Sequence, residues 1–447
     1  MTDLVFILGK NWLLSLAEMI VLLEDKGILK SLKDFSKTTA IVSLSEPVRD
    51  EDIVDIQSAL GGCFKVGRLI ETYDIEVARK AFPPKGSHTK RDRDLLSKCT
   101  WAPAVWGKPR GKKIKYGVSS YPSGEENTTI DMKRFTRGVN DFIKTHLLGE
   151  NARRADYVIY DEPDRRDPSR SNTALWPQTI SKHGLLKPPN AEILAAFTET
   201  NLYIAKTVAV YDSMLQQYRD ESRPFISSEI STSPKICRTL LTLAGAKTGD
   251  SVLDPFCGTG TLLMEAALLE MKCIGIDLDS NAVEGAQTNL RWLGKELGTY
   301  LDITLIKGNA TDADKLVGKE VDAIAFEPHL GPVYRGKPDT QEAIDVMEEL
   351  TVLYRDTLKA LVKILRPDGR IAMTVPVIRA KEKEITIDFN QMLKGTGLQL
   401  YRFLPEKIID DKSERPRSIR INPNRGALPE RKRGQVVQRQ VIMLGRG

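Results

Sequence analysis

The 447-residue sequence predicts an α/β chain: a C-terminal, seven-stranded Rossmann-like sheet preceded by smaller α+β units. Three observations carry this prediction. The apolar β-type run Ser251-Val252-Leu253 ends in Asp254-Pro255, then Phe256-Cys257, two glycines one residue apart (Gly258 and Gly260) and a strongly helical segment from Thr261. A second apolar run, Cys273-Ile274-Gly275-Ile276, ends at Asp277, nineteen residues after Gly258. Beyond it, stretches of helical period and stretches of strand period alternate towards Leu444.

The elements read in order as follows. Leu4–Leu8 is a first strand and Leu14–Leu23 a helix; Ala40–Leu44, Glu51–Leu60 and Phe64–Ile70 add strand, helix and strand. This pattern over residues 1–75 predicts a ferredoxin-like layer and contains no catalytic constellation. A second unit spans 76–210. It opens on a basic, Pro/Gly-containing stretch in which Trp101 and Trp106 precede Lys108-Pro109-Arg110-Gly111-Lys112-Lys113. Cations beside aromatic rings can hold phosphates and stack bases, which makes Lys112 and Lys113 candidate RNA contacts; two tryptophans anchoring a loop on the core would look the same. The strand Ile114–Val118, the helical stretch Thr129–Leu148, the strand Ala155–Tyr160, the polar Asp161–Asp167 segment and the β-type run Thr200–Ala209 complete this unit. A linker over 211–230 leads to the last domain, 231–447.

In that domain Ser233-Pro234 caps a helix over Lys235–Leu243. After Asp277 come a helix (Ala282–Leu293), a strand (Ile303–Ile306) ending in Lys307-Gly308-Asn309-Ala310, and a fourth strand (Val321–Phe326) ending in Glu327-Pro328-His329-Leu330-Gly331. A long helix (Ala343–Ile364), a strand (Arg370–Val375), a helix (Ala380–Leu393) and a final pair of strands (Leu398–Leu404, Gln435–Leu444) follow. The arginine-rich connection 411–433, carrying Arg417 and Arg420, reads as a substrate-contacting loop; a segment disordered in the free protein would look the same.

Charge and composition bound the function. Ten Lys/Arg face two Asp/Glu between Lys85 and Lys115, and ten face three between Asp411 and Gly447, while the rest of the chain is net acidic. Basic charge gathered in two places points to a polyanionic partner. Five cysteines (Cys63, Cys99, Cys237, Cys257, Cys273) without C-x-x-C spacing, and only four histidines, predict a reduced cytoplasmic protein with no structural metal. No apolar run reaches the roughly 20 residues needed to span a bilayer, and the N-terminal residues read as a strand rather than a signal peptide.

The glycine turn itself is a ligand cradle, because glycines let backbone N–H groups approach closely and the following helix start is electropositive. No lysine follows Gly260, so it is not a P-loop, and Leu263 stands where a dinucleotide fingerprint has its third glycine. A nucleoside without a pyrophosphate fits better. Asp254-Pro255-Phe256-Cys257-Gly258-Thr259-Gly260-Thr261 resembles the first motif of S-adenosylmethionine-dependent methyltransferases acting on exocyclic amines of nucleic-acid bases. The passage Lys206–Asp212 and the segment Arg219-Asp220-Glu221-Ser222-Arg223-Pro224 resemble the THUMP-containing tRNA methyltransferases of the guanosine-N2 type.

That resemblance implies S-adenosyl-L-methionine as cofactor, tRNA as partner, guanine N2 as target, no membrane and, in some relatives, a small activator protein; it leaves the oligomeric state open. It implies a THUMP-like RNA-binding unit over 76–210. Asp254, Phe256, Gly258 and Gly260 would shape the methionine pocket, Asp277 with its neighbour Leu278 the ribose position, and Asn309 and Ala310 the adenine position. Thr232, Ser233 and Lys235, at the start of their helix, are further candidate cofactor neighbours; a helix cap and nothing more would look the same. At the fourth strand the family pattern is Asp/Asn-Pro-Pro-Tyr/Phe-Gly, whose carboxylate or amide and backbone carbonyl accept the two amine hydrogens. Here Glu327, His329 and Leu330 depart from it, while Pro328 and Gly331 are kept. The catalytic candidates are therefore Glu327, Pro328 and His329, with His329 or Tyr334 as substitute stacking rings. A DNA adenine or cytosine amino-methyltransferase, and a non-catalytic RNA-binding protein with a vestigial site, are the alternative readings.

Overall fold

Eight strands of the N-terminal half form one sheet: β1 (Asp3–Leu8), β2 (Leu29–Phe35), β3 (Thr39–Leu44), β4 (Cys63–Asp74), β5 (Lys113–Tyr121), β6 (Arg154–Tyr157), β7 (Ala191–Phe197) and β8 (Asn201–Val210). The computed structural model describes residues 2–84, 90–123, 129–159, 173–226, 232–404, 425–431 and 434–447. Arg417, Arg420, the Asp161–Asp167 segment and most of the 411–433 connection lie outside them.

The spatial order is β2-β3-β1-β4-β8-β7-β5-β6. The first four strands, with helices Trp12–Asp25 and Asp50–Ala59, run strand–helix–strand–strand–helix–strand. β2 is a strand the sequence reading lacks, because Leu29-Lys30-Ser31-Leu32-Lys33-Asp34-Phe35 is largely polar. It lies at the sheet edge, where one face and one flank are solvated and such composition is stable. The sheet does not stop at residue 75. β4 pairs antiparallel with β8 from Lys65↔Val210 to Asp74↔Asn201, so residues on both sides of the expected 75/76 boundary share one sheet. Buried Lys65 on β4 donates to Glu192 of β7, to Ser119 of β5 and to the Leu175 carbonyl, tying these strands together.

Trp101 and Trp106 are buried, with ring centroids 6.2 Å apart, and Trp106 packs edge-on against Tyr116 of β5 at 5.9 Å. Both anchor the basic stretch on the core.

The C-terminal sheet is built from β9 (Ser251–Asp254), β10 (Lys272–Asp277), β11 (Ile303–Lys307), β12 (Ala323–Phe326), β13 (Ile371–Arg379), β14 (Glu384–Thr386), β15 (Leu398–Leu400), β16 (Ala427–Glu430) and β17 (Val437–Arg446). Its order is β11-β10-β9-β12-β13-β17-β15; β11 to β13 are parallel, and β17 is antiparallel to both neighbours. Seven strands follow this path, as the Rossmann-like prediction has it, and β14 on β13 and β16 on β17 extend the sheet to nine. Val252 and Leu253 point to opposite faces of central β9 and enter two separate cores, one under the Thr261–Leu268 helix and one under the Thr340–Ile364 helix.

Two local expectations are corrected. The helix expected over Ala380–Leu393 is reduced to Phe389–Leu393, because Ile385 and Thr386 pair as β14 on the end of β13 and Asp388 caps what remains. Within the expected 411–433 loop, Ala427–Glu430 pairs with β17 as β16. Among the described residues, no helix is long and apolar enough to cross a membrane.

The two sheets are joined by a common core. Leu16, Met19 and Leu23 of the first helix pack in one cluster with Leu240 and Leu241 of the Pro234–Leu243 helix and with Val252. Gly61 approaches this second helix so closely that a Cβ there would lie 2.1 Å from the Lys235 carbonyl oxygen. Arg238 donates to Glu265 and to the Ser58 carbonyl, Thr242 donates to the Ala59 carbonyl at 3.0 Å, and Arg370 pairs with Asp25.

In the same contact, the fully buried Glu18 carboxylate accepts from Gly61 N at 2.7 Å and Gly62 N at 2.8 Å. Burial raises its pKa to about 7, against a lowering by those two amide donors. The folded chain therefore binds this proton more tightly than the unfolded one. The resulting stabilisation is complete below the unfolded carboxyl value and is lost as pH rises through about 7. Relative to Glu18→Gln, the wild-type chain should lose on the order of 3 kcal/mol of stability between about pH 4 and pH 8. Chemical denaturation of both proteins across that range measures it; parallel pH dependences would show that Glu18 does not titrate there.

Candidate functional site

Four successive strands of the C-terminal sheet deliver one polar residue each to a single cavity. Asp254 ends β9, Asp277 ends β10, Asn309 follows β11 and Glu327 follows β12, and all four line a cavity of about 540 Å³. The strand order reverses between β9 and β12, so the carboxyl ends diverge and leave a crevice there. Phe256, Gly258, Leu278, Ala310, Pro328, His329 and Leu330 also face it. The volume is within the range of small-molecule sites.

The glycine turn is set by its backbone. Gly258 and Gly260 have φ of +50° and +83°, in the left-handed region, and Gly260 immediately precedes the Thr261–Leu268 helix. A Cβ on Gly260 would also sit 3.1 Å from that of Ala286. Gly260 thus shapes the turn from behind and is not itself on the cavity wall. The Asp277 carboxylate braces the turn: Oδ2 accepts from Gly258 N at 2.8 Å and Oδ1 from Asp279 N at 2.9 Å. Each oxygen keeps a lone pair for a further donor. Asn309 Oδ1 accepts from Thr311 N at 3.1 Å, capping a short 3-10 turn.

Asp254 is almost fully buried and accepts from Phe256 N at 3.0 Å. Burial first, and then the charges of Asp277 and Glu327, push its carboxyl well above the usual carboxylate range, against the lowering effect of that N–H. A cationic ligand group placed beside it would oppose that shift and favour the ionised carboxylate.

The segment preceding the domain is tied to the same turn. Arg219 reaches Glu265 at 3.4 Å, and Arg238 holds the other oxygen of that carboxylate at 2.6 Å. Arg223 donates to Thr261 Oγ1 at 2.9 Å, and Asn289 holds the Phe225 backbone and the Thr259 carbonyl. The Arg219–Pro224 passage is thereby fixed to the helix that opens at the glycine turn.

Glu327 has partners that sequence reading did not find. Arg439, on β17, donates Nε to Oε2 at 2.5 Å and Nη2 to Oε1 at 2.8 Å. Thr232 Oγ1 donates to Oε1 at 2.8 Å and Thr374 Oγ1, on β13, to Oε2 at 3.2 Å. A carboxylate has about four lone-pair sites, and all four are filled here. The signal available in sequence was the polar triplet Gln438-Arg439-Gln440 inside an otherwise apolar strand.

Other candidates separate. Of the three residues at the helix start, Thr232 lines the cavity. Lys235 turns away, its ammonium stacked over Phe64 at 4.6 Å and Tyr211 at 4.9 Å. Ser233 makes no side-chain cap; its carbonyl accepts from Cys237 N. Tyr334 does not face the cavity: its ring packs on the core below the Thr340–Ile364 helix, so it supplies no stacking surface. The His329 side chain is exposed at the rim, and its carbonyl accepts from Tyr354 Oη at 2.5 Å. Leu278, 69% exposed, forms an apolar lip. Lys112 and Lys113 are exposed at the start of β5, and Lys112 borders a separate groove of about 400 Å³ with Trp106, Asn190 and Lys206.

Residues 223–387 match the UPF0020 family (RMKL-like, methyltransferase domain). A tRNA (guanine(10)-N2)-dimethyltransferase of Methanothermobacter thermautotrophicus is 36% identical over 160 residues, covering 36% of this chain and 43% of that protein. The chain thus spans less than half the length of this relative. A probable tRNA (guanine(10)-N2)-dimethyltransferase of Methanothermococcus thermolithotrophicus is 35% identical over 112 residues, 24% of this chain and 67% of that protein. The crystal structure of TrmN from Thermus thermophilus superposes with a TM-score of 0.50 over the whole of both chains at 16% identity, a likeness of fold.

Proposed function

The chain belongs to the THUMP-domain tRNA guanine-N2 methyltransferase family, and we propose that it transfers a methyl group from S-adenosyl-L-methionine to the exocyclic amine of a tRNA guanine. The observation that carries this reading is the placement of the glycine turn and the Glu327-Pro328 turn on one cavity, at the ends of β9 and β12.

The residues suit the cofactor. Asp277 offers acceptors for ribose hydroxyls, Leu278 and Ala310 offer apolar surface for the base with Asn309 as its polar neighbour, and buried Asp254 faces the cationic end. When bound, S-adenosyl-L-methionine supplies an activated methyl group on a sulfonium centre. The work left to the protein is to present the amine. Its lone pair is delocalised into the base, so acceptors for both hydrogens must hold it as it rehybridises. Glu327 Oε1 and the Pro328 carbonyl are the two acceptors in this reading, and the exposed His329 ring and Leu330 flank the extruded base. The amine can reach Oε1 by taking the place of the Thr232 hydroxyl, the one of the four donors to Glu327 that belongs to a cavity-lining residue.

In the same reading, residues 1–75 and the THUMP-like unit 76–210 grip the RNA, with Lys112 and Lys113 among its contacts, and 211–230 links them to the catalytic domain 231–447. Arg417 and Arg420 serve as further phosphate contacts, and the cellular site is the cytoplasm.

A methyl-transfer assay with labelled cofactor, offering undermodified tRNA and duplex DNA side by side, tests the proposal. Label is expected in tRNA, as N2-methylated guanosine after digestion to nucleosides. Label in DNA alone would establish the amino-methyltransferase of DNA instead, and cofactor binding without transfer to either would identify a vestigial site.

A further inference from the structure

Arg439 lies 112 residues from Glu327 in sequence and on β17, which runs antiparallel to β13 and β15, yet it makes the shortest polar contact described for Glu327. Both side chains are more than nine-tenths buried, at 9% and 8% exposure. The guanidinium uses its Nε–Nη2 edge, one donor to each oxygen, which fixes the plane of the carboxylate as well as its position. Its remaining Nη1 faces Glu430 Oε2 on β16 at 3.8 Å. Thr374 holds Oε2 from β13, so the oxygen left towards the cavity side is Oε1, where Thr232 donates.

Glutamate has one more rotatable bond than aspartate and needs an external restraint to present a single oxygen at a defined place. We infer that Arg439 is a positioning residue for methyl transfer: it orients Glu327 bidentately, so that Oε1 accepts the substrate amine, and does not itself touch substrate or cofactor. This rests on Glu327 being the amine acceptor. The buried pair is also what lets a charged carboxylate stand at this depth, since a guanidinium matches both oxygens where an ammonium would meet one.

The experiment compares Arg439→Ala, Arg439→Lys and Glu327→Ala in the full chain, measuring cofactor Kd together with kcat and KM on undermodified tRNA. Arg439→Ala should lower kcat about 100-fold, with KM for tRNA and cofactor Kd changed less than about threefold; Arg439→Lys should recover part of the loss while staying at least about tenfold below wild type. A folded Arg439→Ala protein with kcat within about threefold of wild type would overturn the inference. Where Arg439→Ala fails to bind cofactor for want of a folded domain, the lysine variant decides. At unchanged cofactor Kd, a tenfold or larger kcat loss, on the order expected for a missing charged hydrogen bond, supports the role, and wild-type kcat refutes it. Glu327→Ala separates the two levels of the argument. Turnover retained there would end the reading of Glu327 itself; turnover lost there but kept in Arg439→Ala would end only the positioning role.

Discussion

Replacing Glu327 with alanine is expected to lower kcat on tRNA by about 10³-fold while leaving cofactor affinity within about threefold, because it removes an acceptor aimed at the amine without touching the glycine turn. The structure adds a second effect. With the carboxylate gone, the buried Arg439 guanidinium loses its main counter-charge, and breaking such a pair destabilises a fold by about 3–5 kcal/mol. Glu327→Gln preserves the volume and isolates the chemistry. Its amide turns an –NH₂ towards donors from Arg439 or a threonine, so the carbonyl is held less well and kcat still falls by about 10²-fold or more. Methyl transfer measured beside cofactor titration checks both variants, and full turnover in either would remove Glu327 from the mechanism.

The second large effect falls on Asp277. Asp277→Ala should weaken cofactor binding by about 10²- to 10⁴-fold, as two hydrogen bonds from ribose hydroxyls to a charged acceptor are lost, each worth about 1.5–3 kcal/mol. Part of the change would come through the turn, since Asp277 also holds Gly258 N. Asp277→Asn retains one carbonyl acceptor and nearly the same shape, so a smaller loss is expected from it. Isothermal titration with cofactor distinguishes the cases, and an unchanged Kd in Asp277→Ala would mean that the ribose lies elsewhere.

The glycine-turn side of the cavity was legible because its determinants are local. A strand, a positive-φ glycine pair and a helix lie within about twenty residues, and the acidic or amide residue after each parallel strand recurs with the strand spacing. The substrate side was only half legible. Glu327-Pro328 could be found by its place after the fourth strand, but its partners come from β13, β17 and the start of the Pro234–Leu243 helix, and no local pattern announces a contact across 112 residues. Lys235 was misplaced for a related reason. A lysine at a helix start near the cavity reads as a ligand neighbour, whereas its ammonium is drawn to Phe64 and Tyr211 on the opposite side.

The fold shows the same division. Buried parallel strands such as Ala323–Phe326 are plain apolar runs, while edge and hairpin strands such as β2 and β16 are polar or contain proline and are recognisable only by what they pair with.

The core shared by the first helix and the Pro234–Leu243 helix has a consequence for how the molecule can be divided. A fragment beginning at Ser233 would carry the whole glycine turn and Glu327. It would also bare the flank of Leu240 and Leu241 that Leu16, Met19 and Leu23 normally cover, and would leave Arg238 without the Ser58 carbonyl. Such a piece is sticky on one side, prone to self-association, and poorly suited to stand for the enzyme in solution. The N-terminal segment is in this respect a missing wall of the catalytic half. A chain shortened to its methyltransferase motif would be judged by its aggregation before its chemistry could be measured.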